Sequence, residues 1–554
     1  MKKVLFFAVL SIGIISYGYT QNNLSGTYRY STNAFITFTG NNFSGSWNKD
    51  TAISGSYSIS GNRLTLNITS GPKARATWTW TIVDINFLRD QDGDRWNKEE
   101  GSSINNIIFD GTTFIQDLVM VFKSVENNKE YVIELSGNER IDAQTLSFPS
   151  VNNITIRLIS PERESILSLS GNGSIFTIEK GVTLILDKGV TLLGHKDNNI
   201  SLVKINSNGK LIMENDSKIL GNNSGNNGGG VYINGGGQFL MQGGEISNNK
   251  VGLYGGGVYS KGFFNMSNGK ISGNIVDRND GFGGGGGVYT DAGTFNMSGG
   301  EISGNRSQNG GGISLSGDYV VFKLSGGLIS GNNASLGGGI YSDATFSMSG
   351  GEISGNTADN GGGIRMTKSF TMSNGTISNN TAIYSGGGVH VSGIFTLEDG
   401  VIFGNKAKSG GGIFIGVYSD TLFRMKSGKI FDNTATTNGG GVSVEGNSSP
   451  FISSRIVFAM EHGIITSNTS PVGAGVYMEL NRSNPIFVKT SGTIFGFVQG
   501  DPNSNRATAG NNNGHAVYIN PNNTSGNINR RESTADLDDK LDSRINGIAG
   551  GWGF

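Results

Sequence analysis

Three aspartates alternate in the run LRDQDGDRW, where Asp90, Asp92 and Asp94 surround Gly93. Carboxylates at alternate positions of a tight loop can converge on a hard cation, so these three are candidate Ca2+ ligands. The full calcium-loop pattern wants a glutamate seven residues beyond Asp94, and Gly101 stands there. That favours a plain hairpin turn over a metal loop. The four histidines, His195, His390, His462 and His515, are too scattered for a His-rich metal motif. The chain has no cysteine, which excludes disulfides, thiol catalysis and cysteine-ligated metal.

A second set of residues points to contact rather than reaction. Tyr232, Tyr259 and Tyr289, then Ser314, Tyr341, Arg365, His390 and Phe414, each follow the aliphatic residue of a Gly-Gly-Gly-[Val/Ile] motif. If that aliphatic residue points inward on a strand, its neighbour points outward. Stacked outward rings form a platform for sugar or protein contact, since they offer large area at low entropy cost. The alternative, and the favoured one, is an aromatic ladder that only stabilises its sheet. Phe403 and Phe431 replace serine of other copies and form a second candidate sticky patch.

Both sets depend on the elements that place them. The triple glycines start at 228, 255, 285, 310, 337, 361, 386, 410 and 439, with an eroded copy at 473, at intervals of 24 to 34 residues. Between them runs the sentence F-x-M-x-x-G-x-I-S-G-N, as in Gly337 to Asn360. A fixed period of this size marks a stacked repeat. Phe346 and Met348 alternate with Thr345, Ser347 and Ser349, which is strand spacing. Ile340 and Ile353 seed two further short strands. Two or three short strands with tight turns make one coil of a parallel β-helix, and no coil buries its apolar edge alone. Asn356 ends the repeat, and Asn274, Asn305, Asn332, Asn380, Asn405, Asn433 and Asn468 share its column. Stacked, they form a hydrogen-bonded ladder; read singly, they suit turns.

The stretch ISGNTADNGGGI (353–364) resembles the repeat of the polymorphic outer-membrane proteins of chlamydiae, which pairs a hydrophobic-x-x-Asn motif with a Gly-Gly-small-aliphatic motif. It is also similar to repeats of secreted pectin-lyase-like proteins. The resemblance covers about 228–520. It implies a right-handed parallel β-helix at a cell surface, and adhesion or surface display without a particular ligand. Polysaccharide-cutting hydrolases of this class resemble one another in N-T-D, D-D and G-H-G motifs. None occurs in the repeats, and the Asp-Asp pair Asp538-Asp539 lies in the tail.

The expected organisation follows. Residues 1–18 read as a secretory signal, with Lys2-Lys3 before the apolar run Val4 to Ile15; a membrane anchor is the alternative, although the run is short for a span. Residues 24–100 hold four of the five tryptophans and read as a small antiparallel, lipocalin-like β-meander. Residues 101–130 give a linker and a capping helix from Phe114, 131–527 the β-helix, and 528–554 a helical cap or a disordered tail. The fold class is all-β. Net charge is −1 with 15% charged residues, which leaves no electrostatic footprint for nucleic acid. No stable transmembrane segment is expected in the mature chain. The expected product is a bacterial protein, secreted or associated with the outer membrane, non-catalytic and without a cofactor. Its expected partner is a host or extracellular-matrix protein or a glycan. A polysaccharide lyase or hydrolase and a purely structural surface antigen are the alternatives.

Overall fold

Phe346 and Met348 turn inward with Ser347 between them, and each stacks on its counterpart one repeat later: Phe346 faces Phe370 and Met348 faces Met372 in a parallel register. Repeating this register builds the solenoid. The computed structural model describes residues 113–520 except 279–282, 417–419, 446–455, 480–485, 497–499 and 510–513. Before them it gives the backbone of strands between Phe6 and Phe109. Two compact units result, Met1–Asn105 and Asn106–Phe554.

The first unit is a closed barrel of nine strands. Eight run antiparallel in chain order from Gly26–Ser31 to Arg95–Glu99, and Phe6–Ala8 lies parallel to Thr77–Ile82. Expected as an open meander, the sheet closes on itself, and closure removes the unpaired edges a half-barrel would leave.

The second unit is a right-handed parallel β-helix. Its Phe sheet has 15 strands from Asn106–Phe109 to Ile486–Lys489. Its Ile sheet has 14, from Glu139–Ile141 to Thr493–Ile494, and its Val sheet 14, from Gln144–Leu146 to Val517–Asn520. At about 4.8 Å per coil the rod is roughly 60 Å long, longer than nine triple-glycine copies alone would give. The stretch 101–130 supplies the first strand, Asn106–Phe109, which pairs with Glu130–Glu134. It also supplies the helix Phe114–Ser124, capped by Thr113, whose hydroxyl accepts from the Gln116 amide. Phe114, Leu118 and Val121 seal the open end of the core. Phe122 is 41% exposed and rests on Phe148.

Inside the rod the columns are nearly uniform. Phe239, Phe264, Phe295, Phe322, Phe346, Phe370, Phe395, Phe423, Phe458 and Phe487 form one stack, with ring centroids 4.3 to 6.1 Å apart. Ile353 and Ile377 exemplify the second column, Ile340 and Ile364 the third.

The asparagines form the ladder. Asn356 Oδ1 accepts from both the backbone N–H and the side-chain Nδ2 of Asn332, each at 3.0 Å. Asn356 Nδ2 donates onward to Asn380 Oδ1 and back to the Ile329 carbonyl, each at 2.9 Å. The chain of bonds runs from Asn198 to Asn505, beyond both ends of the column legible in the repeats. Each amide is buried and closed by its neighbours, which a simple turn preference would not require. The residue before the ladder position takes positive φ: Gly355 at +64°, Asn379 at 54° and Asp432 at 53°. Glycine, then Asn or Asp, tolerates that conformation best, which explains the G of I-S-G-N and its replacements. In the triple glycine the cause is space. A Cβ on Gly338 would lie 2.4 Å from the Thr357 carbonyl oxygen and 2.5 Å from that of Gly362.

Among the described residues no helix is long and apolar enough to cross a membrane. The tail 528–554, with its expected helix, lies outside the described residues, as does most of 1–18.

Candidate functional site

The outward face of the Val sheet carries the expected column. Val231 and Val258 are fully buried, so Tyr232 and Tyr259 turn away from the core. Tyr232, Tyr259 and Tyr289 stack in sequence, with centroids 4.9 and 5.4 Å apart and planes within 17°. Tyr254, from the preceding turn, adds a fourth ring against Tyr289 at 4.5 Å. Outward does not mean open here: Tyr259 is 3% exposed. Its hydroxyl donates to Asp291 Oδ2 at 2.6 Å, and Lys261 Nζ lies 3.6 Å from the same oxygen. Burial and the Asp291 bond push the Tyr259 phenol far above its ordinary value. Tyr289, also raised chiefly by burial, is pushed up to about 12. Both remain neutral donors at physiological pH.

Ser314 interrupts the rings, and Tyr341, Arg365, His390 and Phe414 continue the column on successive coils in register. Burial raises the Tyr341 phenol, opposed by the nearby Arg365 charge. His390 packs at 4.9 Å against Phe414. Farther along, Glu445 and Glu479 face each other across adjacent coils. Burial raises the Glu445 carboxyl, and Glu479 adds to it, against hydrogen bonds from Ser443, Ser409 and Asn438. Tyr477 and Tyr518 end the column at 5.9 Å.

The second patch lies on the Ile sheet. Phe403 and Phe431 stack at 4.9 Å, with Lys429 Nζ 4.4 Å above the Phe431 ring and Ile464 40% exposed beside them. In the charged column of that sheet Lys270 pairs with Glu301 at 3.1 Å. Glu245, one coil before Lys270, accepts from the Ser272 hydroxyl at 3.4 Å. Asp90 ends the strand Phe87–Asp90, which pairs as a hairpin with Arg95–Glu99, while Asp92 and Asp94 lie outside the described residues. Among the described residues no group of three or more acidic, histidine or cysteine side chains is placed to hold a metal.

Sequence reasoning passed over the residues that stand proud of the Val sheet. Tyr319 is 84% exposed on the turn that follows it, and Ile383 and Tyr384 are 61% and 56% exposed on the segment that precedes it. A signal existed for the second pair, since Thr381–Ser385 is one residue longer than Thr357–Asn360.

Comparisons of the chain with protein-family models, with curated proteins and with solved structures gave no match.

Proposed function

We propose that this chain is a secreted, surface-displayed β-helix that acts by contact rather than catalysis, as an adhesin for a host or matrix protein or a glycan. One observation carries the reading. Interior columns repeat almost unchanged, whereas the outward column of the Val sheet runs through Tyr, Ser, Arg, His, Phe and Glu-flanked positions on successive coils. A scaffold that fixes its inside and varies one outside face is suited to presenting a composite surface. Exposed Tyr319 and Tyr384 flank that face, and tyrosine gives contact area at low entropy cost. The likeness of 353–364 to polymorphic outer-membrane repeats and the signal-like residues 1–18 support display outside the cytoplasm.

The test is binding of the full chain to an array of glycans and extracellular-matrix proteins. A double variant, Tyr319→Ser with Tyr384→Ser, and the triple variant Tyr232→Ser, Tyr259→Ser, Tyr289→Ser run beside it. The reading expects binding that the double variant weakens at least tenfold with unchanged thermal unfolding. The triple variant is expected to lose stability as well, because its rings are packed. No binding by the wild type would leave a purely structural role. Shortened glycans on the array would establish a lyase or hydrolase instead.

A further inference from the structure

The segment Thr381–Ser385 is held to the rod by an unusual anchor. Its register against the previous coil pairs Thr357 with Thr381, Ala358 with Ala382, and Asn360 with Ser385. Two residues, Ile383 and Tyr384, therefore span the place where the neighbour has only Asp359, and both bulge into solvent. Ser385 brings the chain back. Its hydroxyl donates to Asn360 Oδ1 at 2.7 Å and lies 2.8 Å from His390 Nδ1. A hydroxyl has one proton to give, so His390 donates from Nδ1 to the Ser385 oxygen. Nε2 is then a lone pair. It is buried and meets no hydrogen-bond partner among the described residues, and the whole residue is 5% exposed.

The neutral ring fits this site and the charged ring does not. A proton on Nε2 would create a buried donor without an acceptor, within a buried cation. Among the described residues the neighbours supply no counter-charge. Arg365 lies in register on the preceding coil and is itself a cation. The following coil presents the Phe414 ring. The wall presents Ser385 and, behind it, Asn360, both neutral. On its own strand His390 is flanked by Val389 and Val391. Tyr341, beyond Arg365, keeps its phenol proton. Burial first, and the Arg365 charge second, hold the His390 pKa well below its ordinary value, against a hydrogen bond to the Ser385 backbone.

We propose that His390 is an acid-sensitive latch: protonation of its imidazole breaks the Ser385 anchor and frees the Ile383–Tyr384 bulge from the side of the rod. The sign follows from linkage. The closed state binds no proton at His390 and the open state binds one below the ordinary histidine pKa of about 6.5. Opening is therefore insensitive to pH above that value. Below it, the opening constant rises by up to tenfold per pH unit. This inference does not depend on the adhesin reading.

Amide hydrogen exchange in the full chain tests it, with intrinsic rates divided out. The Gly386 amide, which donates to the Ser409 carbonyl at 3.0 Å, reports the latch. The Gly310 amide, which donates to the Leu336 carbonyl at 2.8 Å on a coil without histidine, is the reference. Between pH 6.5 and 5.0 Gly386 exchange is expected to accelerate at least tenfold relative to Gly310, and to lose that acceleration in His390→Phe. Equal acceleration at both amides, or the same acceleration in His390→Phe, would overturn the proposal. Should the variant not fold, wild-type protein labelled with 13C-histidine gives a second reading from its four rings. The His390 signal is expected to stay neutral in the closed protein at pH 6.0, and a titration midpoint near 6.5 there would also refute the latch.

Discussion

The asparagine corner and the tyrosine column are both stacks of one residue type, coil upon coil, yet they differ in what closes them. From Asn274 to Asn468 each ladder asparagine accepts two bonds from one neighbour and donates to the next, with its amide buried. The tyrosines stack by their faces, stop at Ser314, and find their polar partners outside the column, as Tyr259 does in Asp291. The asparagine stack runs without a break, and losing a member leaves the backbone N–H of the preceding asparagine without its acceptor. The tyrosine stack accommodates serine, arginine and histidine in the same positions. Stacking alone therefore does not mark a functional face.

That contrast can be broken or sharpened by substitution. Asn356→Ala would leave the Asn332 backbone N–H without its acceptor and the Ile329 carbonyl without this donor, while Asn332 Nδ2 keeps its bond to the Ile302 carbonyl. Each buried orphan costs about 1–3 kcal/mol, so a loss of about 4 kcal/mol is expected in chemical denaturation. Gly355, at φ +64°, sets up that corner. Gly355→Ala is expected to cost about 1–2 kcal/mol, and Gly355→Asn markedly less, as Asn379 already shows in the same position. Tyr259→Phe removes one hydrogen bond but keeps the stack, and should cost about 1 kcal/mol. Glu445→Gln tests the polar end of the column through pH. Its carboxyl is raised in the fold, so its favourable contribution is complete below about 4.3 and is lost as pH rises through the folded value. The variant should therefore unfold at a higher temperature than wild type at pH 7, with the difference shrinking toward pH 4. Lys270→Gln, in a largely solvated pair with Glu301, should change stability by less than about 0.5 kcal/mol.

Much of the solenoid was legible because its causes are local and periodic. Phe346, Met348, Ile353 and Asn356 each declare their side of the strand by spacing, and the repeat converts that into columns. The ladder members Asn198 and Asn505 were harder to see, since the I-S-G-N context around them has eroded, whereas Asn222 in I-L-G-N and Asn249 in I-S-N-N were legible and passed over. Periodicity separates inside from outside but does not say what covers an outward residue. Tyr259 reads as outward and is so, yet Asp291 and its stacked neighbours bury it. The His390 anchor is invisible for the same reason. It needs the one-residue surplus in Thr381–Ser385, which shows in the sequence, and the return of Ser385 toward the ring, which does not. Closure of the N-terminal barrel depends on pairings distant in sequence, Gly26–Ser31 with Arg95–Glu99, and local alternation carries no information about them.

The buried asparagine ladder, rather than the outward rings, locks successive coils together. Amide exchange at Asn332, whose N–H donates to Asn356 Oδ1 at 3.0 Å, tests it most directly. In Asn356→Ala this amide should exchange about 100-fold or more faster than in wild type, while Tyr341→Ser, on the outward face of the same coil, should change it less than about threefold. Asn332 exchange that is unaltered in Asn356→Ala, or accelerated equally by Tyr341→Ser, would contradict the account.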